Sequence, residues 1–201
     1  MDILSIALLV AVGVFILKSK DERRRIALLG SHLAQFQIEK LMETLTEGYL
    51  RALGEKESTR REQVWAQLDT SEVRLAAQFS NFAAAFARAG EAETRISKLP
   101  VPLPYADKLL PALTFDMRQA LAIHARGIAN AADNSRGRSP RDKAFVMSAE
   151  LFLMQHTCHW FCKSRAVASA RMLVRHKTSY EQVLEAVSPE TRRAYGELVG
   201  R

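Results

Sequence analysis

At 201 residues the chain is long enough to bury a sizeable core and short enough to be one medium domain with an appendage. Its 48% apolar content is that of an ordinary globular protein, and nine glycines and six prolines are too few to interrupt it often. Ala, Leu, Glu, Arg and Gln are plentiful, and alternating runs of Val, Ile and Thr are nearly absent, so the composition predicts an all-α fold.

The first predicted element is the stretch ILSIALLVAVGVFIL, residues 3–17, which carries no charge. A cleaved secretory signal has its positive charges before the apolar run and small residues after it. Here Phe15, Ile16 and Leu17 stand where small residues belong, and Lys18, Lys20, Arg23, Arg24 and Arg25 follow. That polarity suits an uncleaved anchor helix over residues 1–20 whose basic flank lies in the cytoplasm and meets anionic lipid. Residues 3–17 span only about 22 Å as a helix, against roughly 30 Å of hydrocarbon, so Met1 and snorkelling lysines must extend it. The competing expectation is a terminal helix buried in the protein's own core or in a partner. On the anchor reading the chain is a single-pass protein of the inner or plasma membrane with its C-terminal domain in the cytoplasm. All 29 basic residues and all but one of the 22 acidic residues then lie on that side, so a formal charge of about +8 faces the leaflet.

Residues 21–90 read as a long helical hairpin. Ile26, Leu29, Leu33 and Phe36 share one helical face, while Leu41, Leu45, Tyr49 and Leu53 lie nearly opposite. The shift predicts a bend or break near Gln37, and it marks the first four residues as candidates to face a partner. Thr59-Arg60-Arg61-Glu62 has the form of a capping box. Val64, Leu68, Leu75, Phe79, Phe82 and Phe86 then fall within a narrow arc that ends at Gly90, as a helix–helix seam would.

Residues 91–105 are expected to be a Pro-rich linker, with LPVPLPY (99–105) a polyproline-like strap across the bundle. Residues 106–201 read as a second helical region. One helix is expected from Pro111 to Ala132, with Leu113, Met117, Leu121, His124 and Ile128 on one face. Within the polar stretch 133–143, Ser139-Pro140 marks the start of a central helix, buried over 140–165 and reaching at least Lys163. Thr178-Ser179-Tyr180-Glu181 and Ser188-Pro189 open two short terminal helices. Counted together, the bundle after the anchor should have five to six helices.

The stretch MQHTCHWFCKS (154–164) gathers both cysteines and two of the five histidines. His156, His159 and Cys162, with His124 as an outside donor, have the residue types for zinc, and a single histidine such as His159 would serve haem. One straight helix cannot surround a tetrahedral ion, and Phe145, Val146, Ala149, Phe152, Leu153, Trp160 and Phe161 surround the motif with apolar side chains. The expectation is therefore a core helix and no cofactor, with zinc or haem as the alternative. No nucleotide-binding, zinc-protease or hydrolase motif is present. Arg192 and Arg193 near the C-terminus give only a faint helix-turn-helix pattern, so nucleic acid is not expected as the partner. These readings converge on a non-catalytic, membrane-tethered helical interaction or assembly subunit. Its partners would be the lipid bilayer and either another protein or a second copy.

Overall fold

The computed structural model describes residues 2–100, 108 and 110–200, and the fold is mostly helical. Helix α1, Ile3–Leu33, runs 31 residues without a break, about 46 Å. The chain turns at residues 34–37 and enters α2, Ile38–Gly54. Gln37 sits at the expected break, clamped from α3 (Ser58–Phe86) by Gln78, which accepts its N–H at 3.2 Å, and by Arg74, which donates to its side chain at 3.2 Å. At the other end of α2, Gly48 abuts Leu68 and the Tyr49 ring lies 6.1 Å from Trp65. These contacts run in opposite chain directions, so α2 and α3 are antiparallel.

All six apolar residues of the α3 arc are buried. Phe79, Phe82 and Phe86 stack in sequence, and Phe161 meets Phe86 edge-on at 6.0 Å. Each such ring contributes about 1.5–3 kcal/mol on leaving water. The expected capping box is not formed. The helix begins at Ser58, so Thr59 already lies in its first turn and no side chain caps it. Leu53 is exposed, and Ala52 takes its place in the core.

Residues 91–97 of the expected linker are ordered as regular elements. They form a one-turn helix α4, Glu91–Thr94, and strand β1, Arg95–Ser97. Strand β1 pairs antiparallel with β2, Thr114–Asp116, with Ile96 opposite Phe115. The proline-rich stretch from Val101 to Tyr105 lies outside the described residues. Helix α5, Met117–Asp133, therefore starts later than expected, because a 3-10 turn at Pro111–Leu113 and β2 occupy the residues before it. Asp116 caps it by accepting the Arg118 N–H at 2.8 Å.

Helix α6, Pro140–Cys162, is the central element and packs on α1, α2, α5, α7 and α8. Ser139 caps it with proline in the first turn, as the sequence indicates. It stops at Cys162. Ser164 then caps a separate helix α7, Arg165–His176. Ser179 completes a capping box with Gln182 for α8, Tyr180–Ala186, and Ser188 caps α9, Pro189–Val199. The break at Ser164 and the extra turn at α4 raise the helix count above the five to six expected. The hairpin β1–β2 closes over α6, where Phe115 packs on Trp160 at 5.0 Å and the Trp160 indole donates to the Ser97 carbonyl at 2.9 Å.

Candidate functional site

Helix α1 divides into two halves of opposite character. Its N-terminal half is apolar on every side, and none of it is covered by the other described residues. Phe15 is 69% exposed and Leu9 63%. By length and composition this is the one helix among the described residues able to cross a membrane. The expectation that it might fill the protein's own core is therefore excluded.

The C-terminal half docks on the bundle through ion pairs. The Arg24 guanidinium meets Glu93 at 2.5 Å. Arg25 pairs with Asp21 at 2.9 Å, donates to the Arg95 carbonyl at 2.8 Å and lies 5.5 Å over the Phe161 ring. Glu22 receives Lys163 at 2.6 Å and approaches Lys18 at 3.9 Å. These contacts give part of the basic flank partners inside the protein. Arg24 and Arg25 serve the fold, while Lys20 and Arg23 are exposed and Lys18 is half-buried.

The partner-facing row is corrected as well. Leu29 is buried, Leu33 and Phe36 pack against the core, and Phe36 meets Phe82 edge-on at 6.0 Å. Only Ile26 of the four remains exposed. That face of α1 is turned toward its own bundle, because the break at residues 34–37 lets α1 and α2 each present an apolar side to the same core.

The four histidine and cysteine candidates are not brought to one point. Among the described residues, no three His, Cys, Asp or Glu side chains are arranged to hold a metal ion. His124 lies fully buried, its Nε2 2.9 Å from the Thr157 hydroxyl and its ring 5.2 Å from Tyr195. Thr157 donates to the Leu153 carbonyl, so its oxygen accepts from the His124 N–H. Burial, helped by nearby His156, lowers the His124 pKa to about 3 and keeps the ring neutral. His156 turns toward α7 and α8, with Nε2 3.1 Å from the Ser169 hydroxyl and its ring 4.5 Å from Tyr180. His159 and Cys162 face a small cavity of about 150 Å³ beneath the docked half of α1. Burial pushes the Cys162 thiol up to about 11 and Cys158 further still, so both are poor nucleophiles. Phe145, expected around this motif, is exposed instead.

Two buried polar clusters escaped the sequence reading. Tyr49 donates to Glu72 at 2.5 Å, and Lys143 meets Glu72 at 2.5 Å and Asp69 at 2.7 Å, tying α2, α3 and α6 together. In the second cluster, Glu150 accepts the Ser188 N–H at 3.0 Å, which pins the start of α9. Gly127 makes room for that carboxyl, since a Cβ there would lie 2.3 Å from Glu150 Oε2. Burial raises the Glu150 pKa against these hydrogen bonds. The available signal was charge on otherwise apolar helix faces at Glu72, Lys143 and Glu150.

A crevice of about 690 Å³ runs between α2 and α7, floored by Phe152 and Gln155 of α6. At the C-terminus, Arg192 turns back to donate to the Glu185 carbonyl at 2.8 Å. Compared with known proteins, the chain matches no family model, no curated protein and no solved structure.

Proposed function

We propose that the chain is a non-catalytic, membrane-tethered helical interaction subunit. The apolar half of α1 enters the inner or plasma membrane, and the bundle lies at the cytoplasmic face. One observation carries this reading: residues 3–17 form a helix apolar on all sides that no other described residue covers. In water such a surface needs an apolar surrounding, and a helix meets the bilayer's demand that backbone groups be bonded internally. Lys18, Lys20 and Arg23 at its exit favour a cytoplasmic bundle beside anionic lipid. Because α1 passes without a break into its docked half, the tether also holds the bundle at a set angle to the anchor.

Membrane fractionation tests the tether. The full chain should resist extraction by high salt, and a variant lacking residues 3–17 should become soluble with its thermal unfolding unchanged. Retention of that variant on salt-washed membranes sinks the tether. A compartment-specific reporter fused after Arg201 should be active on the cytoplasmic side. Activity on the other side reverses the orientation.

A further inference from the structure

A row of acids and one arginine line the crevice between α2 and α7, and a second arginine continues the basic side beyond it. Glu39, Glu43 and Glu47 recur one turn apart along exposed α2, and Arg175 faces them from α7, with Arg171 one turn away beside the adjoining depression. Among the described residues none of these five side chains has an opposite charge within 4.0 Å. The walls are braced apart. Phe152 and His176 stack at 3.8 Å on the floor, and Gln155 bonds His176 at 2.8 Å. Lys40 shares the acidic wall and leaves it net negative. No acid occurs between Leu151 and Tyr180, so nothing on the α7 side offsets its arginines.

We infer that this face binds a second copy of the chain about a two-fold axis, α7 of each copy pairing with α2 of the other. Both charge rows sit on the same molecule with the same one-turn spacing, so two copies satisfy each other's rows, and a two-fold axis makes every contact twice. Arg171 and Arg175 match Glu47 and Glu43 in an antiparallel register, which also brings Val167 toward Leu50, 69% exposed. Val174, 71% exposed, gives the α7 face an apolar component. The surface itself is independent of the tether. The inference rests on the tether reading only for the high local concentration that confinement to one membrane provides.

Mass photometry of the full chain in lipid nanodiscs tests the pairing. The wild type should be dimeric, and its association should weaken as salt rises. R171E/R175E and E43R/E47R should each weaken association by about tenfold or more through like-charge contact. Combining all four substitutions should restore the dimer. A monomeric wild type, a dimer indifferent to both reversals, or a combined variant that stays monomeric with normal thermal unfolding would each overturn the inference. A dimer lost only with residues 3–17 also overturns it, by assigning contact to the apolar helix. Fractionation of the same variants keeps the readings apart: monomers still held in membranes defeat only the dimer, and a soluble dimeric wild type defeats the tether.

Discussion

The N-terminal half of α1 and the central helix α6 are both apolar around most of their circumference, yet one is bare and the other enclosed. The enclosed helix also carries Lys143, Glu150, His156 and Thr157, each provided with a neighbouring polar group by the elements around it. The bare helix carries nothing polar between Ser5 and Lys18. The contrast shows that all-round apolarity states only a need for a dry environment. Polar groups on such a helix indicate that the protein supplies that environment, since lipid offers them no partners.

The largest effect should come from placing a charge in each helix. Leu153→Lys in α6, fully buried, should prevent folding of the bundle, read as lost cooperative unfolding by circular dichroism. Leu9→Lys should leave that unfolding intact and cost membrane insertion about 2.5–3.5 kcal/mol, read as a shift toward the soluble fraction. Equal damage to the bundle from both would erase the distinction between the two helices. Next, Lys143→Ala strips Glu72 of its buried counter-ion and should cost about 3–5 kcal/mol in denaturant unfolding. A cost below about 1 kcal/mol would show that water reaches that cluster.

Within any one pH unit, the smallest effect concerns His124. Its ring titrates near 6.5 when unfolded and about 3 when folded, so acidification protonates the unfolded chain first. Stability should therefore fall as pH drops from about 6.5 toward 3, by up to about 1.4 kcal/mol per pH unit from this residue. His159 and His176, lowered chiefly by burial, add in the same direction. His124→Gln should flatten the slope of unfolding free energy against pH. An unchanged slope would mean the ring is not sealed from solvent.

Much of the helical layout was legible because its signals are local. Ser139, Ser179 and Ser188 cap helices where hydroxyls precede proline or acidic residues, and the α3 arc follows from spacing alone. Strands β1 and β2 were not legible. Each is three residues long, and their buried Ile96 and Phe115 owe their burial to packing, Phe115 on Trp160 of α6, rather than to any pattern of their own. The apolar run and its basic flank were legible in the sequence; the internal partners of that flank were not. Arg24 and Arg25 look like lipid contacts in sequence, and only the positions of Glu93 and the Arg95 carbonyl reveal their internal partners.

By itself the sequence determined the helical class, the break near Gln37, and an apolar leading segment followed by basic charge. These depend on backbone propensity and on periodicities of a few residues, which a linear text carries. Tertiary structure alone decided that the leading segment stays uncovered, that Leu29, Leu33 and Phe36 face inward, and that His124, His156 and His159 part company. It also set the acidic row of α2 across one crevice from Arg175 of α7. Those outcomes depend on which residues, far apart in sequence, compete for the same space and charge, and that competition is resolved only when the helices pack.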